Sequence, residues 1–275
     1  MAISAKDVKR LRELTGVGMM DCKKALQEAD GDFDKAIELL RKKGQKVAAK
    51  RADRDAKEGL IVSAASEDGT VAAIAEVNCE TDFVARNEAF QAFANDVIAL
   101  ILAEQPADMA AFEALSYSGS TMGEAITEQT GKIGEKIGVR RFEVVKAEEG
   151  QVVSYIHPGS RLGVLVTMEG DGDLASAGRD VAMQVAALNP VATTPDDVPA
   201  EVKAKELEIG REQARNEGKP EHILDRIAEG KLKRYYKDNV LVQQPFVKDA
   251  SMTVEQMLKQ ANASVKGFVR FALGA

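Results

Sequence analysis

Apolar residues recur at helical spacing over the first forty or so positions, then give way to short runs and alternation. In the segment from Ala2 to Lys43, Ser4 and Asp7 can start a helix whose Val8, Leu11 and Leu14 share the i, i+3, i+6 face. Thr15-Gly16-Val17-Gly18 stops it. Met19, Cys22, Leu26 and Ala29 form the face of a second helix. Asp30-Gly31-Asp32 is a turn, and Asp32 caps a third helix bearing Phe33, Ala36, Ile37 and Leu40. From Arg41 to Lys57 the pattern turns basic, with Ala48, Ala49, Ala52 and Ala56 interleaved and Asp53, Asp55 and Glu58 diluting the charge. A solvated helical linker fits this better than a membrane or nucleic-acid patch, since no aromatic is present to stack on bases.

From Gly59 strands begin. Leu60-Ile61-Val62 and Val71 to Val77 flank an Asp68-Gly69 hairpin turn. Asn78 to Asn87 joins the second strand to a helix marked by Ala89, Phe90, Phe93, Ala94, Val97, Ile98 and Ile101. Thr81 or Asp82 can cap that helix. Phe83 stands beside the cap, where it either packs back as a staple or is offered to a partner; local physics favours the staple. A helical stretch over Ser120 to Ile137 and a strand over Val139 to Val145 complete the block. The layout then repeats: a strand over Val152 to Ile156, a turn at His157-Pro158-Gly159, a strand over Leu162 to Met168 and a helix over Leu174 to Leu188. Lys266-Gly267-Phe268-Val269-Arg270-Phe271 echoes Ile137-Gly138-Val139-Arg140-Arg141-Phe142. Inside the second half, two charged helices, Ala200 to Asn216 and Glu221 to Tyr236, are joined by Glu217-Gly218-Lys219-Pro220. Val202, Ile209, Ile223, Ile227 and Tyr235 make one narrow seam, as in an antiparallel coiled coil.

The reading is an α+β protein: an N-terminal helical module over 1–45, a basic linker over 46–58, and two related α+β subdomains with small antiparallel sheets over 59–149 and 150–275. The second contains the helical hairpin at about 199–238. A length of 275 residues gives ample core, and a net charge of −7 disfavours a nucleic-acid partner. No apolar run is long enough to span a bilayer, and no basic-then-apolar leader opens the sequence. Two cysteines, Cys22 and Cys79, far apart in sequence, suit free thiols in a reducing cytoplasm.

Catalytic chemistry finds little support. Gly131-Lys132, Gly218-Lys219 and Gly230-Lys231 are not followed by Ser or Thr, so there is no phosphate loop of the Walker type. Gly170-Asp171-Gly172-Asp173-Leu174-Ala175 matches a dinucleotide fingerprint in form only, because Glu169, Asp171 and Asp173 would repel a pyrophosphate. Two histidines and two cysteines without ligand spacing argue against a zinc site. The expectation is no catalytic residue, no metal and no cofactor.

Two blocks carry a resemblance. Thr81-Asp82-Phe83-Val84-Ala85-Arg86-Asn87 looks like the signature of the bacterial elongation factor Ts family. Leu14 to Leu26, with Thr15-Gly16-Val17-Gly18-Met19-Met20-Asp21-Cys22-Lys23-Lys24, resembles that family's N-terminal module. The resemblance runs over essentially the whole chain. It implies a guanine-nucleotide exchange factor for elongation factor Tu in its GDP-bound and nucleotide-free forms, with no covalent chemistry, no direct nucleic-acid contact and no membrane. It also implies that the first three helices form a ubiquitin-associated-type bundle that docks on the partner's nucleotide domain through Val17, Met19 and Met20. Phe83 then becomes a wedge, with Asp82 disturbing the partner's Mg²⁺ region and Thr81 and Val84 flanking. Ile133 and His157 occupy positions of further partner contacts, though Pro158 looks inserted beside the histidine. Arg86 and Asn87 complete the motif, bracing it or contacting the partner. Some relatives continue into a C-terminal helical module. This sequence stops four residues after Phe271, which implies that the module's contact is missing.

Two other readings remain on the residues alone. An adaptor would bind through Ala2 to Lys43 by itself, and a nucleic-acid binder would use Arg41 to Arg54. Self-association through the core or the hairpin seam is also open.

Overall fold

The computed structural model describes residues 3–275; the expected start of the first segment at Ala2 lies outside them. Contacts divide the chain into two compact units. One runs to Val62 and adds Ala75–Phe142 and Leu273–Ala275; the other is Ser63–Ile74 with Glu143–Ala272.

The first unit opens with α1 (Ala5–Thr15), α2 (Met19–Glu28) and α3 (Phe33–Arg51). Ser4 and Asp7 close a capping box on α1, and the Asp32 side chain accepts from Lys35 N on α3. Val8, Leu11, Cys22, Ala25, Leu26, Ala29, Ala36 and Leu40 make their core. Leu14 and Met19, expected on the packed faces, are instead 63% and 46% exposed. Leu14 lies about 120° around the helix from Val8, because six residues fall short of two full turns of 3.6. Thr15, one residue on, returns to the inner side, where its hydroxyl donates to Leu11 O and lies 3.8 Å from Cys22 Sγ. Met19 opens α2 directly after the glycine loop and stays in solvent.

The basic stretch, expected to be helical from Arg41 to Lys57, is so only as far as Arg51, where it is the second half of α3 and not a fully solvated linker; residues 52–57 are turn and irregular chain. Arg41, Lys42, Lys43, Lys46 and Lys50 face water, while Gly44, Val47 and Ala48 are half-buried. The reason is a close crossing: a Cβ on Gly131 would run into the Gly44 Cα and come within 3.1 Å of its carbonyl carbon.

β1 (Glu58–Ala65) and β2 (Val71–Cys79) follow, then α4 (Asp82–Ala85), α5 (Glu88–Glu104), α6 (Met109–Ala114), β3 (Ser116–Tyr117), β4 (Ser120–Thr121), α7 (Met122–Ile133) and β5 (Gly138–Lys146). The sheet order β1-β2-β5 places β2 centrally, and eight of its nine residues are buried. That accounts for a continuous apolar run where alternation would mark a one-sided strand. Phe90, Phe93, Val97, Ile98 and Ile101 of α5 are buried, as is Phe112 of α6, its ring 5.6 Å from that of Phe142.

The second unit contains β6 (Gln151–Ile156), β7 (Leu162–Gly170), α8 (Leu174–Leu188), α9 (Ala200–Asn216), α10 (Leu224–Asn239), β8 (Pro245–Phe246), β9 (Asp249–Thr253), α11 (Val254–Gln260) and β10 (Ala263–Ala272). β7 is central again, antiparallel to β6 and β10, with Val166 opposite Val153 and Phe268. Val164, Val166, Met168, Val181, Val185 and Leu258 are among its core residues.

The short echo in the sequence belongs to a full topological repeat. Each copy runs hairpin, helix, two-stranded ladder, capped helix, returning strand. Both hairpins begin at a glycine whose Cβ would strike a backbone oxygen of the next strand, Gly59 against Val77 and Gly150 against Met168. Both capped helices carry a capping box, Thr121 with Glu124 and Thr253 with Gln256. The echoing segments sit at the start of β5 and within β10.

The hairpin α9–α10 forms, but its seam differs from the expected one. Gly210, Ala214, Leu224 and Ala228 are the buried residues; Val202, Ile209, Ile223, Ile227 and Tyr235 are half-buried beside them. A Cβ on Gly210 would meet the Ala228 Cα at 3.0 Å, so the axes approach too closely for large side chains on the midline.

Candidate functional site

β2 delivers the chain into a single helical turn. Thr81, extended in backbone, caps α4 by accepting from Val84 N at 3.4 Å, and the Asn87 side chain caps α5 by accepting from Ala89 N at 2.9 Å. The expected single cap by Thr81 or Asp82 is thus two caps in series, with the long helix starting at Asn87. Between the caps, Ala85 is buried and anchors the turn, Val84 is half-buried, and Phe83 is 82% exposed. Phe83 is therefore no staple. Full burial of such a ring is worth about 1.5–3 kcal/mol, little of which this position collects within the chain.

Around this ring the backbone is firmly braced. Thr81 donates through its N–H to Glu135 Oε2 at 3.0 Å and through its hydroxyl to Glu135 Oε1 at 2.7 Å. Glu80 accepts from Lys136 N at 2.7 Å and from Arg51 Nη1 at 2.7 and 2.9 Å. Burial alone would push the Glu80 carboxyl up; the bonds from Lys136 N and Arg51 hold it below its ordinary value. Lys136 Nζ donates to the carbonyls of Ala52 and Arg54, just past the end of α3. Cys79 Sγ donates to Thr81 O, and burial first, then the charge of Glu135, pushes its thiol up to about 12. Asp82 is half-exposed and paired with Arg86 at 2.9 Å across one turn.

Ile133, half-buried, is the last residue of α7, before the left-handed cap Gly134. Lys132, its neighbour, lies against Gly16 of the loop carrying half-buried Val17, and exposed Met19 and Met20 open α2 directly after that loop. Within the first unit, then, the end of α7 adjoins both expected contact regions: the methionine loop through Lys132, and the Phe83 turn through Glu135. His157 belongs to the second unit. It is exposed in the β6–β7 turn, with Nδ1 2.9 Å from the Tyr155 hydroxyl. The sequence reading missed Arg51, Glu80, Glu135 and Lys136. No local signal marks them, since their bonds span 29 to 84 residues.

The glycines of the fingerprint-like Gly170–Ala175 have a packing role. A Cβ on Gly170 or Gly172 would collide with the carbonyl oxygens of Asn262 or Ala261. Asp173 spends its carboxylate capping α8 at Ser176 N.

A mixed α+β protein built on a duplicated hairpin-and-helix unit, with an aromatic held in solvent on a braced turn, matches one family model, described as Elongation factor TS, over residues 80–275. Curated relatives agree over at least nine-tenths of their lengths. Elongation factor Ts of Amoebophilus asiaticus is 51% identical over 279 residues, covering all of both chains. That of Chlorobaculum parvum is 48% identical over 285 residues, covering 99% of each. That of Alkalilimnicola ehrlichii is 50% identical over 274 residues, covering all of this chain and 93% of the relative. The chain belongs to the elongation factor Ts family, the nucleotide-exchange factors of translation elongation.

Proposed function

We propose that the protein binds elongation factor Tu in its GDP form and speeds GDP release by inserting Phe83 into the partner's nucleotide domain. One observation carries this reading: a phenylalanine 82% exposed on a turn whose backbone is fixed on both sides. Exposing a ring costs apolar burial, and a rigid mount reduces the entropy lost when it docks. Asp82, beside it, acts on the polar contacts that position the partner's Mg²⁺. Its exposed pairing with Arg86 is weak enough to be exchanged for a partner contact. Loss of the Mg²⁺ arrangement removes charge neutralisation from the diphosphate. Thr81 and Val84 flank the wedge; Ile133, Val17, Met19, Met20 and His157 add contacts, the methionines offering adaptable apolar surface. Such exchange makes and breaks no covalent bond and takes place in the cytoplasm, where translation does. Linkage sets its direction: a factor that weakens nucleotide binding is itself expelled by incoming nucleotide to the same extent.

The test is stopped-flow release of a fluorescent GDP from purified elongation factor Tu. Phe83→Ala is expected to fold normally and to lower the release rate about thirtyfold or more, the equivalent of a buried aromatic anchor worth about 2 kcal/mol. A rate equal to that of the unaltered protein, with the variant fully bound, refutes the wedge.

A further inference from the structure

The turn carrying Phe83 is too short to hold itself. α4 has four residues, and a single helical turn fixes several dihedrals for few internal bonds. Its order has to come from outside, and the structure shows from where. The β2–α4 joint and the loop between α7 and β5 exchange carboxylates. Glu80 on the joint accepts from Lys136 N on the loop, and Glu135 on the loop accepts twice from Thr81 on the joint. The three bonds are 2.7 to 3.0 Å long, and each has a carboxylate oxygen as acceptor.

Thr81 is the pivotal residue of this exchange. Its hydroxyl has one proton and must also accept from Val84 N to cap α4. Committing that proton to Glu135 Oε1 leaves a lone pair for Val84 N. Glu135 therefore sets the rotation of the cap, and the cap sets the turn on which Phe83 stands. From this geometry we infer that Glu135 is a positioning residue for nucleotide exchange, acting through Thr81 on the direction in which Phe83 points. Glu80 is its counterpart, fixed by the two bonds from Arg51. The inference rests on the reading that Phe83 is the acting side chain.

The experiment is a double-mutant cycle on the full chain: Glu135→Ala, Phe83→Ala and the double variant, with GDP release from elongation factor Tu followed to saturation in the factor. Glu135→Ala is expected to lower the maximal rate roughly tenfold to a hundredfold, the scale of an ångström-sized misplacement of an acting group. Glu135→Gln keeps one acceptor for the Thr81 hydroxyl and should recover most of that loss. In the Phe83→Ala background, Glu135→Ala should change nothing further, because the group it positions is gone. An undiminished effect of Glu135→Ala in that background overturns the inference, since the carboxylate would then touch the partner itself or merely support the fold. So does a Glu135→Ala protein that releases GDP at the original rate. Should Glu135→Ala fail to fold, Thr81→Val removes the same hydroxyl bond with little change of shape and is held to the same outcomes. A slow Phe83→Ala with a fast Glu135→Ala removes only this inference; an unimpaired Phe83→Ala removes the wedge and this inference with it.

Discussion

Adding one methyl group at either side of the α3–α7 crossing should have opposite effects. At Gly44 a Cβ would find its nearest neighbour, the Gly131 Cα, at 3.5 Å, an ordinary contact. Gly44→Ala therefore keeps the packing and gains helix propensity, about 1 kcal/mol in a helix interior. At Gly131 the same methyl would overlap the Gly44 Cα and lie 3.1 and 3.2 Å from its carbonyl carbon and oxygen. Carbon pairs settle at roughly 3.5–4.0 Å, so the helices would have to part by about an ångström. Overpacking of that kind costs about 1–3 kcal/mol, against the same propensity gain of about 1 kcal/mol. Gly131→Ala should thus lose about 1 kcal/mol, and the two variants should differ by about 2 kcal/mol. By calorimetry the melting temperature should rise by about 2–4 °C for Gly44→Ala and fall by about as much for Gly131→Ala. Shifts of the same sign in both variants would show that the crossing is looser than the backbone approach implies.

The same unit supports two predictions about ionisation, beside those on Phe83 and Glu135. Arg51 and Glu80 are part-buried, with side-chain exposures of 31% and 15%, so Arg51→Ala should cost about 1–3 kcal/mol in urea unfolding. Because Glu80 sits below its ordinary value, its contribution is full above the free carboxyl value and is lost as pH falls through the depressed one; Arg51→Ala should show a shallower decline between about pH 5 and pH 3, and an unchanged decline refutes the pairing. Cys79, raised to about 12, contributes stability that is full below the free thiol value of about 8.5 and lost as pH rises toward 12. The urea midpoint should therefore drop between about pH 8 and pH 10 by less in Cys79→Ala than in the unaltered chain, and the native thiol should resist a disulfide reagent at about pH 8 until the protein unfolds.

Local signals foretold the longer elements, though not α6, β3, β4, β8, β9 or α11. Ser4, Asp32 and the Asp68-Gly69 turn do what their types suggest, because a cap or hairpin turn is decided within a few residues. The helix over Leu174–Leu188 begins and ends where its pattern does. What escaped is decided by distant partners. The staple reading of Phe83 failed because whether a ring finds a neighbour depends on how α4 and α5 are set by two separate caps. The hairpin seam was misplaced for a related reason. Counting large apolar residues finds Ile209 and Tyr235, whereas a close helix pair is selected by the residues small enough to lie between the axes, Gly210 and Ala228. Glu80 and Glu135 look like ordinary surface carboxylates in sequence, and only the fold brings them to Lys136 and Thr81.

The two halves of the repeat also differ at the joint that carries Phe83. Strand for strand they correspond closely: Gly59, Val71 and Cys79 in the first occupy the places of Gly150, Leu162 and Gly170 in the second. They part at the next joint. In the second copy Asp173 caps the helix three residues after the central strand ends; in the first, Asn87 does so eight residues after. The additional residues are those of the α4 turn, with Phe83 at its exposed face. Sheet geometry fixes where a central strand ends, and the α5 core of Phe90, Phe93, Val97 and Ile101 fixes where that helix must lie. A longer joint between two such fixed points has to bulge into solvent, and it stays ordered only if something outside it supplies bonds. Glu135 and Lys136 supply them from a loop of the same unit, while the corresponding joint of the second copy closes directly through Asp173. An exposed aromatic and its brace therefore occur together at a strand-to-helix joint where the copies differ, the α9–α10 hairpin being the other large difference between them. That is the arrangement expected if the scaffold is shared by duplication and the joint of the first copy was lengthened to carry the exposed ring.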